Sequence, residues 1–213
     1  MSLDRNIHKI LVLFAHPAIH KSRVNRRLAH AARQVEGVTF HDLYEAYHDL
    51  HIDVKEEQRL LEAHDVVVLQ HPFFWYSTPA ILKEWQDLVL EHGWAYGHAG
   101  TALHGKLLLN AITTGGPEQA YRKGGHNRFT MRELLAPLEQ TAILCGMTFL
   151  PPFVVHGTHL LEAPGIELAA EEYRRLLEGF RDRRIDLEAA QTRARLNEDL
   201  DAILRDGSQN HAR

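Results

Sequence analysis

Residues 9–37, KILVLFAHPAIHKSRVNRRLAHAARQVEG, decide the fold. Lys9 to Ala15 is an uninterrupted apolar run of strand length, which suits a strand covered on both faces of a parallel sheet. From Asn25, NRRLAHAARQV places Leu28, Ala31, Ala32 and Val35 at helical spacing, and Gly37 closes the helix. Strand, loop and helix thus form the opening unit of an alternating chain.

The alternation continues outward from there. Val38 to Leu43 alternates apolar and polar residues like an edge strand, and Val54 to Ala63 is rich in helix formers. Asp65 to Gln70, DVVVLQ, is a second fully apolar strand. In STPAILKEWQDLVL, Pro79 falls near the first helical turn after a candidate cap at Ser77 or Thr78. Ile81, Leu82, Trp85, Leu88 and Val89 then share one face of a helix ending near Gly93. Lys106 to Thr113 is another buried strand, and Thr130 with Glu133 makes a capping box ahead of a helix over Met131 to Leu144. Met147 to Val155 reads as the last strand and Glu167 to Arg181 as the final amphipathic helix. Gly97 to Gly105 and Gly115 to Arg128 read as loops. This order predicts an α/β domain over residues 1–185. Its five-stranded parallel sheet takes the flavodoxin-like order 2-1-3-4-5, with helices on both faces. Residues 186–213 are charged and helix-prone but poor in apolar anchors, and are expected to form a loosely attached tail or a dimer contact with a frayed end.

Composition narrows the function. The chain has 213 residues, 45% of them hydrophobic, enough for a sizeable core. No apolar run approaches the length of a membrane helix, and MSLDRNIHK lacks the apolar centre of a secretory signal, so a cytoplasmic protein is expected. Cys145 is the sole cysteine, which excludes an internal disulfide framework, and its place at a helix-to-strand corner makes it a core residue. With 24 basic and 28 acidic residues interspersed, the net charge of −4 gives no basic stripe for nucleic acid. Sixteen histidines invite a metal reading, yet none stand at a ligand spacing such as H-E-x-x-H. No metal site is expected, and most of the histidines read as surface or capping residues.

In an open parallel sheet, ligands bind beyond the carboxyl ends of the strands. Three loops there carry the chemistry. AHPAIHKSRVN runs into a helix N-terminus, where free amides and the positive dipole end attract an anion. Ser22 and Asn25 add donors to it, and His16 and Lys21 add candidate charge. Ser22 is equally able to serve only as a cap. HPFFWYSTP sets four aromatics in a row, Phe73 to Tyr76, which cannot all point into the core and can wall a flat ligand. TTGGPEQAYRKGGH opens on Thr113 and Thr114, and its Gly115 and Gly116 permit close approach of backbone to a ligand or a positive φ. Together they offer a phosphate cradle, an aromatic wall and a backbone edge, the needs of a flavin mononucleotide. By contrast GTALHGKL, Gly100 to Leu107, only imitates a P-loop. Leu107 stands where a hydroxyl must bind magnesium, and a strand follows where a helix is required.

The motifs AHP (Ala15 to Pro17), Ser22 with Asn25, HPFFWYSTPAILKEW (His71 to Trp85), GWAYG (Gly93 to Gly97), TALHGK (Thr101 to Lys106) and TTGG (Thr113 to Gly116) occur in order. In them the chain resembles the flavodoxin-like NAD(P)H:quinone oxidoreductases, most closely the ancillary subunits of glutathione-regulated potassium-efflux systems, from about Ile10 to Phe180. The resemblance implies a homodimer with FMN at the carboxyl edge of the sheet. It assigns His16 and Ser22, Arg23, Val24 and Asn25 to the phosphate and ribityl end. Phe73, Phe74, Trp75, Tyr76, Thr113, Thr114, Gly115 and Gly116 fall to the isoalloxazine ring. NADH or NADPH would be the hydride donor and a quinone the acceptor. Tyr121 matches a tyrosine that stabilises flavin charge in the mammalian relatives, and His126 lies one residue off the position of its partner histidine. Two further functions compete with turnover of quinones. One is regulation of a potassium-efflux antiporter at the inner face of the membrane. The other is electron transfer in the manner of flavodoxin, which the mild net charge disfavours.

Overall fold

The first unit forms where the sequence places it. The computed structural model describes residues 7–205. β1 (Ile10–Phe14) is buried at every residue, and α1 (Arg23–Arg33) returns against it with Val24, Leu28, Ala31 and Ala32 inward. β2 (Val38–Asp42) is the half-buried edge strand, followed by the short α2 (Leu43–Ala46) and by α3 (Val54–Glu62), capped by Asp53. β3 (Val66–Pro72), α4 (Ala80–Val89) and β4 (Leu107–Thr113) complete the centre. All pairings are parallel, in the order β2-β1-β3-β4-β5.

Several boundaries differ from the sequence reading, each for a local reason. Neither Ser77 nor Thr78 caps α4; Pro79 itself occupies the N-cap, without a side-chain bond. The helix expected over Met131 to Leu144 is two, α5 (Met131–Leu134) and α6 (Ala136–Leu144), because Pro137 brings no N–H and restricts Ala136. The Thr130–Glu133 capping box is present. Pro151 and Pro152 likewise divide the last strand into β5 (Thr148–Phe149) and β6 (Phe153–Val155), a sixth strand that pairs with β4 further along the same edge. The final long helix, α7 (Ala163–Arg181), starts before Glu167, with Pro164 in its first turn.

Strand alternation sorts the core into two layers. Ile10, Val12, Val66, Val68 and Leu109 face α1 and α7, while Leu11, Leu13, Val67, Leu69 and Leu108 face α3, α4 and α6. Cys145 is in the second layer, and burial pushes its thiol pKa up. That layer also encloses a carboxylate. Glu57 accepts hydrogen bonds from the Tyr47 hydroxyl at 2.6 Å and Trp85 Nε1 at 2.8 Å, and pairs with His41 Nε2 at 2.7 Å.

The segment after α7 is docked rather than loose. α8 (Leu187–Gln191) is its only helix among the described residues, yet Ala190, Leu196, Leu200 and Ile203 are buried in the α1/α7 layer. Turns, rather than a helix, bring Leu196, Leu200 and Ile203 to that layer. The expected frayed end, residues 206–213, lies outside the described residues. No helix among the described residues is long and apolar enough to cross a membrane.

Candidate active site

β1, β3 and β4 end side by side, so their three loops share one rim of the sheet. His16, just past β1, is buried; its Nδ1 accepts the Ala18 N–H at 3.1 Å, which leaves the ring proton on Nε2. Burial lowers its pKa, so His16 is a neutral donor rather than the charge expected of it. A 3-10 turn at Ile19–Lys21 leads to Ser22, the N-cap of α1. Ser22 Oγ accepts from the Asn25 amide at 3.1 Å and from Asn25 Nδ2 at 3.3 Å. Both acceptor positions are thereby filled, and the hydroxyl proton stays free to donate, so capping and anion binding are compatible. Asn25 Nδ2 also reaches Thr113 Oγ1 at 2.7 Å, while the buried Asn25 Oδ1 has no partner. A cavity of about 350 Å³ is lined by His16, Lys21, Ser22, Asn25, Phe74 and Gly115.

Arg23 and Val24 also line this cavity. The Arg23 guanidinium turns to the Leu161 carbonyl at 2.9 Å, and the Val24 side chain is in the core. What Val24 offers the cradle is its amide, in the first turn of α1.

The aromatic loop divides as four consecutive rings must. Phe73 is buried, and its N–H bonds to the Thr113 carbonyl at 2.9 Å. Phe74 and Tyr76 are half exposed, and Trp75 is 95% exposed. Phe74 and Ser77 close a turn, Ser77 N–H to Phe74 carbonyl at 3.0 Å, whose central residues have φ of 49° (Trp75) and 64° (Tyr76). Positive φ at both central positions is the type I′ pattern that ordinarily takes Asn-Gly. Two large aromatics held there carry strain of about 1–2 kcal/mol each, of the kind found at binding sites.

In the third loop Gly115 and Gly116 do not adopt positive φ; their role is close approach. A Cβ on Gly115 would meet His159 Nε2 at 2.5 Å, and one on Gly116 would meet Tyr121 at 3.2 Å. Neither glycine amide has a partner among the described residues. Thr114 Oγ1 donates to the Gly116 carbonyl at 2.8 Å and therefore accepts from His156 Nδ1 at 3.1 Å. The backbone of this edge is thus locked from below.

A second cavity of about 420 Å³ lies alongside, lined by Phe73, Trp75, Tyr76, Tyr121, His126 and Asn127. Tyr121 and His126 do share this cavity, but the ring packed on Tyr121 is His156, with centroids 5.4 Å apart. Burial pushes the His156 pKa down to about 4, with the Arg195 charge acting the same way, so the ring is neutral at pH 7. Burial also raises the Tyr121 pKa and keeps its hydroxyl protonated. Sequence reasoning passed over the loop after the last strand, which brings His156, Thr158 and His159 to the rim. The apolar run ending in VVH was the signal, since the same carboxyl-end rule applies to that strand. Among the described residues no group of three or more His, Cys, Asp or Glu is placed to hold a metal.

The model of a family of flavodoxin-like fold matches residues 8–177. Among solved structures, the chain is 39% identical to general stress protein 14 from Treponema denticola, a complex with FMN, over 81% of this chain and 99% of that one, with a TM-score of 0.76. It is 33% identical to an NADPH-quinone reductase from P. pentosaceus over 79% and 96% of the two chains, TM-score 0.72. It is also 44% identical to a protein described as a thermophilic tryptophan halogenase from Streptomycin violaceusniger, over 78% and 97%, TM-score 0.77.

Proposed function

The chain belongs to this flavodoxin-like family, and we propose that within it the protein is an FMN-dependent NAD(P)H:quinone oxidoreductase. The observation that carries the reading is the adjacency of the two cavities, an anion cradle and an aromatic slot that share Phe73 as a lining residue and meet at Gly115 and Gly116. The FMN-bound relative and the quinone reductase support the cofactor and the reaction.

The residues fit the cofactor. The His16 Nε2–H, the Ser22 hydroxyl and the first amides of α1 are donors for its phosphate, with Lys21 adding charge. Asn25 Oδ1, buried and without a partner, suits a ribityl hydroxyl. Phe74, Trp75 and Tyr76 would wall the ring, and the Gly115 and Gly116 amides, without a partner among the described residues, would be donors for its polar edge, on which negative charge gathers. Bound there, FMN supplies a ring that accepts a hydride from NADH or NADPH and passes two electrons to a quinone. Tyr121 keeps its proton at Oη in the second cavity, and His156 through Thr114 keeps the Gly116 carbonyl turned inward to the protein. One mouth serves donor and acceptor in turn, which supports ping-pong kinetics. Exposed Trp75 and Tyr76 at this mouth support a homodimer, in which a second copy covers them.

The test is the visible spectrum of the purified protein, with NADH or NADPH and then menadione added. Bleaching by the nucleotide and recovery with the quinone is the expected result, and the extracted flavin should be FMN. Protein unable to take up FMN would overturn the reading. Tryptophan with a halide, dioxygen and NADH or NADPH as reductant is run in parallel, because a halogenated product without quinone turnover would favour the chemistry named for the halogenase relative. The motif run from His71 to Trp85 and TALHGK support a second role as a regulatory subunit of a potassium-efflux antiporter, docked at the inner face of the membrane. Deletion of the gene and return of a form unable to bind FMN tests it: restored potassium efflux supports regulation apart from turnover.

A further inference from the structure

The family match ends at residue 177, and the three solved relatives are matched over 96–99% of their own lengths. Residues 186–205 are therefore an addition to the shared domain, and they are fastened to it at two places near the rim. Leu196 N–H bonds to the Pro152 carbonyl at 2.8 Å. Asn197 then pairs with the backbone of Val154 in both directions: Oδ1 accepts the Val154 N–H and Nδ2 donates to the Val154 carbonyl, each at 3.0 Å. The side-chain amide does what a neighbouring strand would do along the open edge of β6. One residue past β6 is His156, the support of Thr114 and the ring under Tyr121. The second fastening is Arg195, whose guanidinium pairs with Glu118 and holds that carboxyl below the usual carboxylate range. Glu118 opens the 3-10 turn Glu118–Ala120, and its carbonyl accepts the Tyr121 N–H at 2.9 Å. Adjacent residues of the addition thus hold both walls between which Tyr121 sits.

Beyond its own backbone bonds, such as Asn127 N–H to the Ala120 carbonyl at 3.0 Å, and the Phe73 ring against Tyr121, the rest of the loop has only light side-chain polar ties. Tyr76 Oη to Asn127 Oδ1, at 3.2 Å, is exposed, and Lys123 approaches Glu133 only to 4.0 Å between exposed side chains. Such contacts are weak in water. Arg195 is the better buried cation, with 23% of its side chain exposed.

We propose that Arg195 and Asn197 are positioning residues, through which the C-terminal addition fixes the Glu118–Tyr121 wall at the mouth where the quinone enters. This rests on the quinone reductase reading for its kinetic consequence, but not for its structural one. The structural readout is tryptic cleavage at Arg122 and Lys123, both exposed, in the full-length FMN-loaded protein. Arg195→Ala is expected to speed that cleavage about three- to fivefold, the size of one partly screened ion pair. KM for menadione rises by a similar factor, while the rate of flavin bleaching by NADH or NADPH stays within about twofold. Glu118→Gln should reproduce the effect, and it keeps the proposal testable if Arg195→Ala fails to fold, because Glu118 is largely exposed. The double variant should be no worse than either single one, and the exchanged pair Arg195→Glu with Glu118→Arg should recover most of the loss. Additive single effects, or cleavage and KM unchanged in both, would overturn the proposal. If the unaltered protein turns over no quinone, the functional reading falls while the cleavage rates still decide the positioning role.

Discussion

Gly115→Ala separates what the rim does for the fold from what it does for a ligand. The added methyl would lie 2.5 Å from His159 Nε2 and 2.7 Å from Cδ2, where ordinary contact begins at 3.4 Å. About 1 Å of movement is required, since repulsion at such separations far outweighs dispersion. His159 is exposed and able to swing aside, and Gly115 does not have a positive φ, so alanine introduces no backbone strain. The folded protein therefore tolerates the change, with Tm within about 2 °C of the original. The cavity against which Gly115 lies does not. One methyl in a fitted pocket is worth about 1–3 kcal/mol, or roughly 5- to 150-fold in Kd. FMN titrated into apoprotein, followed by quenching of its fluorescence, measures this directly. Gly116→Ala is the control: its methyl meets Tyr121 at 3.2 Å, outside the anion cradle, and should raise KM for the quinone more than Kd for FMN. An unchanged FMN Kd in Gly115→Ala with unchanged Tm would refute the close-approach reasoning.

Other outcomes follow from single contacts. Ser22→Ala removes the cap of α1 and the free hydroxyl proton together, whereas Ser22→Gly retains most of the capping. Alanine should lower stability by about 1 kcal/mol and glycine by a few tenths, but both should weaken FMN binding equally, as read by chemical denaturation and titration. Glu57→Ala leaves Tyr47, Trp85 and His41 without their shared acceptor and should cost about 3 kcal/mol in urea unfolding, while Glu84→Ala on exposed surface costs little. For His156 the folded pKa is about 4 against an ordinary 6.5. Below pH 6.5 the unfolded chain takes up a proton that the folded chain refuses, so stability falls as pH drops from 6.5 to about 4 and then levels. His156→Gln should flatten the Tm profile in that window by about 1–2 kcal/mol, allowing for the partial exposure of the ring. An identical slope in the variant would remove His156 as the cause.

The sheet was legible because its central strands are nearly pure hydrocarbon. KILVLFA, DVVVLQ and KLLLNAIT admit few alternatives once helices alternate with them, and the order of the sheet follows from short right-handed connections. The two places where an element was split, at Pro137 and at Pro151–Pro152, were written in the sequence as missing donors. The docked addition was less readable. Leu196, Leu200 and Ile203 stand at the i, i+4, i+7 spacing of a helical face, yet the chain there runs in turns, and the backbone groups that hold Leu196 and Asn197, those of Pro152 and Val154, are far away in the chain.

At the site, residue type was readable from sequence but direction was not. Arg23, adjacent to Ser22, looks like a phosphate ligand until its guanidinium is seen on the Leu161 carbonyl. His126 stands nearer in sequence to Tyr121 than His156 does, yet β6 carries the distant ring to it, because β6 extends along the same β4 edge that the loop leaves. Sequence separation governs which histidine is noticed, while strand register governs which one makes contact. The aromatic run gives the same lesson in energetic form. Composition says that Phe73 to Tyr76 cannot all be buried, but only the backbone shows that the chain holds Trp75 and Tyr76 at positive φ to keep two of them out. A turn that Asn-Gly would close without strain is closed here by two large rings, so their exposure is maintained against a local cost of about 1–2 kcal/mol each. The flat ligand and the second copy of the chain proposed above would offset that cost by covering the rings.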